Sequence, residues 1–122
     1  MTDNERAALK LINASRRERG LNALKPNRFL SRYARRHSRK MLRSSTLEHG
    51  DLMHVLRNVQ WSYWGENVGA AADKAGSVAA LHKGFMASPP HKANILGRFK
   101  RIGLGFASDG KAVFETQVFL RP

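Results

Sequence analysis

The sequence predicts one α+β domain spanning residues 1–122, and three observations carry that prediction. Apolar residues recur at helical spacing through the first 43 residues and again between about 73 and 97. The C-terminal runs IGLGFA and KAVFETQVFL flank Ser108-Asp109-Gly110, a turn signal between two strand-like segments. A chain of 122 residues with 42% hydrophobic content can bury one core. No repeat, low-complexity tract or linker interrupts it, so helices first and a hairpin last read as a single layered unit.

The first helix opens on Thr2 and Glu5, the spacing of a capping box. Ala8, Leu11, Ile12 and Ser15 then recur until Gly20, giving a helix over about 3–19. After the turn at LNALKPN, Asn27 is the expected N-cap of a second helix running to about Arg43. On a helical wheel Leu30, Tyr33, Ala34, His37 and Met41 form a dry arc, while Arg28, Arg32, Arg35, Arg36, Arg39, Lys40 and Arg43 form a basic arc of roughly 140°. Residues 44–72 read as a long irregular connection, crowded with His49, His54, Trp61, Tyr63, Trp64, Glu66 and Asn67; long connections tend to be functional.

Val78, Leu81, His82 and Phe85 mark a third helix over about 73–86. In SPPHKANILG, Ser88 is the expected N-cap, Pro89 takes the first helical position and Gly97 lies just past the end of a short fourth helix. Gly103 and Gly105 alternate with Ile102, Leu104 and Phe106, so one strand face is bare. A helix or a cavity must come close to it. On the last strand Glu115 and Gln117 share a face with Val113 and Phe119, and need hydrogen-bond partners if that face is covered.

Twenty-two Lys and Arg against nine Asp and Glu give a formal charge of +13. Residues 1–43 hold 13 of the cations against three acids, so the basicity is concentrated in the first third. An excess of this size suits polyanionic partners. The absence of cysteine removes a disulfide scaffold, a thiolate metal site and a cysteine nucleophile together. No apolar run approaches the roughly 18 residues of a membrane helix, and the polar start Thr2-Asp3-Asn4-Glu5 is not a signal peptide. The chain is expected to be either intracellular or a secreted protein whose leader has been removed.

Three side chains are candidates for ligand or acid–base chemistry: His49 in LEHGDL, Glu66 in WGENVG and His91 in SPPHKANIL. His91 falls near the third position of the short helix, where the positive helix end favours neutral imidazole, the form that binds metals. Two His and a carboxylate from separate segments match the composition of an open zinc site. By composition alone, the same three read more readily as satisfied polar groups in loops and caps. His37 and His82 read as packing histidines, and His54 is a rival ligand to His49. Glu48 and Asp51 are possible partners for the His49 ring. Ser38 beside His37 looks structural, and no phosphate loop, dinucleotide fingerprint, nucleophile elbow or HExxH helix is present.

Taken in order, LINASRRERGLNAL, LEHGDL, WGENVGAA, FMASPPHKANILGRFKRIGLGFA and FETQVF resemble the CAP superfamily of cysteine-rich secretory proteins, antigen 5 and pathogenesis-related protein 1, in its cysteine-free bacterial form. The resemblance covers nearly the whole chain. It implies a three-layer α-β-α sandwich with a small antiparallel sheet and a central cleft. It also implies that His49 and His91 hold a divalent cation, often zinc in the family, beside Glu66. Asn67, Ser88, Glu115 and Gln117 are expected to line the same cleft. The second acid of eukaryotic relatives has no counterpart, and Ser88 stands in its neighbourhood; Phe85 stands where many relatives carry Trp.

The leading expectation is a secreted, non-catalytic monomer whose cleft binds a metal or small ligand and which recognises an extracellular or cell-envelope partner, such as a lipid or anionic polymer. The alternative is a metal-dependent hydrolase of peptide, ester or cell-wall substrates with Glu66 as base. A third reading is a polyanion binder acting through the basic arc of the second helix, joined by Lys100 and Arg101. Trp61, Tyr63 and Trp64 are not interleaved with that arc, so specific nucleic-acid recognition is not expected.

Overall fold

The computed structural model describes residues 1–122. Helix α1 (Asp3–Arg17) starts on the expected capping box: the Glu5 N–H donates to Thr2 Oγ1 at 3.1 Å and the Thr2 N–H to Glu5 Oε1 at 3.2 Å. A two-residue strand, β1 (Lys25–Pro26), follows. Asn27 then caps α2 (Arg28–Ser44), its Oδ1 accepting from the Leu30 N–H at 2.9 Å. The remaining elements are α3 (Leu52–Leu56), β2 (Tyr63–Ala72), α4 (Ser77–Met86), α5 (Pro89–Ile95), β3 (Arg101–Ser108) and β4 (Ala112–Arg121).

The strands form one sheet in the order β1-β3-β4-β2, antiparallel except for the short parallel β1–β3 pair. Its alternating faces define two layers. Gly103 opposes Val118 and Gly105 opposes Thr116, and against this face lies α2. A Cβ on Gly103 would fall 2.4 Å from the Leu30 carbonyl carbon, and one on Gly105 would fall 2.2 Å from the Arg35 nitrogen. The bare strand face is therefore filled by helix backbone, not by a cavity. Leu30, Tyr33 and Ala34 of α2 pack there with Leu52 and Leu56 of α3 and with Val118 and Leu120.

The opposite face presents Ile102, Leu104, Val113 and Phe119 to α1, α4 and α5, which contribute Ala8, Ile12, Leu81, Phe85 and Ile95. This is the three-layer α-β-α sandwich, with two helices on one side and three on the other.

Residues 44–72 differ from expectation. Instead of an irregular connection they contain α3 and a ten-residue strand paired with β4 along its whole length, from Tyr63 opposite Arg121 to Ala72 opposite Ala112. The strand escapes notice because Gly65–Gly69 are buried on both faces, which erases the polar–apolar alternation. Its Gly and Ala residues also carry little strand propensity. The third predicted helix begins later than expected, at Ser77.

Candidate functional site

His49 and His91 flank the edge strand β2 from opposite layers, near enough for the charge of His49 to lower the His91 pKa. Glu66, opposite Val118, points to the α2 face, where its side chain is almost wholly buried. Three donors hold it there. Tyr33 Oη donates to Oε2 at 2.5 Å, the Gly50 N–H donates to Oε1 at 3.0 Å, and His49 Nδ1 lies 2.9 Å from Oε1. Burial, then the hydrogen bond to Glu66, pushes the Tyr33 phenol far above its ordinary range, so it remains a donor. The carboxylate can only accept, so the proton of neutral His49 sits on Nδ1 and the lone pair on Nε2. The His49 side chain is 67% exposed. His37 stacks on Tyr33 with ring centroids 5.8 Å apart, and its Nε2 lies 2.6 Å from the Glu48 carbonyl oxygen.

His91 occupies the third residue of α5. Its Nδ1 lies 2.8 Å from Ser88 Oγ and its ring tilts against Phe85 at 5.2 Å. Ser88, expected to cap the helix, makes no side-chain cap bond and orients the ring instead. Burial lowers the His91 pKa below the usual imidazole range, and the neighbouring His49 lowers it further. Neutral imidazole is thus the form at neutral pH, and Nε2 is the nitrogen left outside the Ser88 contact. Beside it runs a groove of about 290 Å³ between β2 and α4, walled by Val68, Ala71, Ala80, Leu81 and Phe85.

Asn67, Glu115 and Gln117 lie elsewhere. The register puts them on the other face of the sheet, beneath α4 and α5, where they do not line an open cleft. They are the buried links of a polar chain: Asn94 Nδ2 donates to Asn67 Oδ1 at 2.9 Å, Asn67 Nδ2 to Gln117 Oε1 at 3.0 Å, and Gln117 Nε2 to Glu115 Oε2 at 2.8 Å. Asn67 Nδ2 also reaches the His91 carbonyl at 3.1 Å, so the chain fixes the segment that carries the histidine. Asn94, Tyr33 and Gly50 were not among the expected residues. A Tyr on an apolar helical arc is the one signal that pointed to a buried hydroxyl partner.

The other candidates are accounted for locally. Asp51 caps α3 through the His54 N–H, and the His54 ring meets Arg57 at 2.8 Å. His82 Nε2 contacts Ser15 Oγ at 2.9 Å across the α1–α4 interface, and Ser38 bonds the Gly105 carbonyl and Thr116. Trp64 packs beside α3, Trp61 is partly exposed, and Tyr63 tilts against Phe99 with part of its ring in solvent. On α2, Arg28, Arg32, Arg36, Arg39, Lys40 and Arg43 are exposed as expected. Arg35 is withdrawn from that stripe, because it forms a two-pronged ion pair with buried Glu5 at 2.8 and 2.7 Å.

Imidazole nitrogens are suitable donors for zinc and similar cations. No group of three or more His, Asp or Glu side chains converges to hold one. Two imidazoles alone leave a cation short of protein ligands, so an ion here would have to take the rest from water or a bound molecule.

The fold has close counterparts among solved structures. An outer surface protein of Borrelia burgdorferi superposes with a TM-score of 0.86 at 15% identity, over 98% of this chain and 93% of that one. An extracellular SCP-domain protein of Bacillus anthracis gives 0.77 at 31% identity, and a cysteine-rich secretory protein of Staphylococcus aureus gives 0.80 at 21%. This chain covers 98% of its own length in both, but only 40% and 38% of those longer proteins. A search of curated protein sequences finds no match. The profile of the cysteine-rich secretory protein family, CAP, matches residues 9–120. With that match over most of the chain and these neighbours in fold, this cysteine-free protein belongs to the CAP family.

Proposed function

We propose that the protein is a non-catalytic recognition domain acting outside the cell or in the envelope, whose cleft binds a divalent cation or small ligand between His49 and His91. The observation that supports it is the anchoring of both rings: Glu66 engages one Nδ1 and Ser88 the other, which leaves two Nε2 atoms for an exogenous partner. The location is supported by the similarity to the Bacillus anthracis protein, which is described as extracellular. The exposed cations of α2 suit an anionic envelope polymer as a secondary contact.

Calorimetric titration with zinc should give one saturable site in the wild type and none in a His49→Ala/His91→Ala double variant. Identical heats from the two proteins would remove the cleft as a metal site.

A hydrolase in which Glu66 serves as base is less well supported, because three donors already occupy its two oxygens. That arrangement makes Glu66 an anchor. Replacing it by Gln turns one acceptor oxygen into a donor facing donors, and Glu66→Gln should cost roughly 2 kcal/mol of stability in urea unfolding. Loss of a hydrolytic activity at unchanged stability would instead support the base role.

A further inference from the structure

The cations that the cleft does not use are gathered into a second concave site at the end of the sheet where β3 begins and β4 finishes. The pocket measures about 650 Å³, more than twice the groove beside His91, and is walled by Arg16, Lys25, Arg98, Lys100, Arg101 and Arg121. No carboxylate lines it, and none of these six takes part in any ion pair of the protein.

Two features show that this concentration of charge is assembled, not incidental. Arg16 is only 2% exposed, and its guanidinium is held by carbonyl oxygens of Asn22 at 2.8 Å, Ile95 at 2.9 Å and Gly97 at 2.7 Å. Carbonyls satisfy its hydrogen bonds but leave its charge without a counter-ion, an expensive state for a buried cation. Secondly, the parallel β1–β3 register places Lys25 directly opposite Arg101. Neighbouring cations repel, and a counter-ion between them relieves that repulsion.

A bound anion answers both. We propose that this pocket is an anion site for a ligand carrying two or more phosphoryl charges, separate from the His49–His91 cleft. Guanidinium groups pair phosphoryl oxygens in two-pronged fashion, and several converge here with Lys25 and Lys100 adding point charges. The volume lies in the range of small-molecule sites. The α2 stripe borders two smaller hollows, of about 350 and 260 Å³, lined by two and three cations against the six gathered here, while Arg36 and Lys40 stand on its open face.

The phosphoryl group can come from a free phosphorylated molecule or from a lipid headgroup, and two probes separate these sources. Inorganic pyrophosphate is titrated at low salt, and phosphatidylcholine vesicles with and without phosphatidic acid are tested for sedimentation. Three proteins are compared: wild type, Arg98→Gln/Lys100→Gln in the pocket rim, and Arg36→Gln/Lys40→Gln on the open face of α2. Both variants lose the same charge from exposed positions.

Wild type should bind pyrophosphate saturably, and the pocket variant should bind it at least about tenfold more weakly, the equivalent of losing one charge-assisted contact. The α2 variant should change by less than about twofold, since its charges act only through screened distance. Pyrophosphate binding without vesicle binding assigns a free ligand; binding of both, each weakened by the pocket variant, assigns a headgroup. Equal weakening by the two variants, or vesicle binding with no saturable pyrophosphate binding, overturns the site.

Discussion

Gly105→Ala should unfold the protein or cost it about 4 kcal/mol, whereas Gly84→Ala should leave it unchanged or stabilise it by up to about 1 kcal/mol. The two substitutions add the same methyl group, and their surroundings decide the sign. At Gly105 the new Cβ would lie 2.2 Å from the Arg35 nitrogen and 2.3 Å from the Ala34 carbonyl carbon. These are backbone atoms in the middle of α2 and cannot rotate away. The helix would have to lift from the sheet, which opens the layer formed by Leu30, Tyr33, Ala34 and Val118. Lifting α2 also withdraws Tyr33 from Glu66 and Arg35 from Glu5, so the cleft loses its anchor with the core. At Gly84 on the exposed side of α4, a Cβ meets nothing within 4 Å. Alanine there simply removes chain freedom from the unfolded state. Chemical denaturation of both variants, followed by far-UV circular dichroism, measures the contrast. Near-equal midpoints for the two would mean that α2 does not rest on the strand as closely as described.

This contrast shows what a sequence can reveal. The Gly-x-Gly pattern of IGLGF indicates a bare strand face, and the dry arc of α2 supplies the helix that covers it. Both are local patterns in residues whose neighbours are fixed by period alone. The capping residues Thr2, Glu5 and Asn27 are legible for the same reason, since each bonds a partner three residues away.

What was not legible depends on pairing across the chain. Strand β2 is covered on both faces and so carries no alternation, and its register with β4 decides which way Glu66 and Asn67 point. Adjacent in sequence, they fall in opposite layers, and Glu115 and Gln117 go with Asn67. Arg35 looks like any other member of the basic arc until α1 brings Glu5 to it. His49, Glu66 and His91 stand out by residue type and context, and the family resemblance groups them in one cleft, but only the fold shows that Ser88 serves the His91 ring and that Glu66 is committed to three donors.

Glu115→Gln should stabilise the protein increasingly as pH rises from about 4.5 to 8, by about 4 kcal/mol at the upper end. Glu115 is fully buried beneath α4, and its one hydrogen-bond partner is Gln117 Nε2. Burial outweighs that bond and pushes its pKa up from 4.5 to about 8. The folded protein then keeps its proton through a range where the unfolded chain has released it. Below about 4.5 both states are protonated and the group is neutral in its effect. Between 4.5 and 8 folding must hold a proton, so stability falls by about 1.4 kcal/mol per pH unit, and above 8 the loss is complete. The histidines act in the other direction. Burial lowers the pKa of His82, and burial followed by His49 lowers that of His91, so the folded state resists their protonation and stability falls as pH drops through their ordinary value of 6.5. Wild type should therefore be most stable at mildly acidic pH, between an alkaline descent set by Glu115 and an acid descent set by the two imidazoles. Glutamine keeps the shape and an oxygen to accept from Gln117, but carries no proton to lose, so the variant should retain only the acid descent. Urea midpoints taken across pH 5 to 9 give the difference directly, and parallel profiles for the two proteins would show that Glu115 does not titrate in the buried state. The polar chain supplies the physical reason for tolerating such a group. Glu115 accepts from Gln117, which frees the Gln117 carbonyl to bind Asn67, and Asn67 in turn holds the His91 carbonyl. A carboxyl that costs stability at neutral pH thus steadies, three links away, the loop-facing end of the cleft, and the same variant should leave zinc titration of His49 and His91 intact because Gln at position 115 still accepts that first bond.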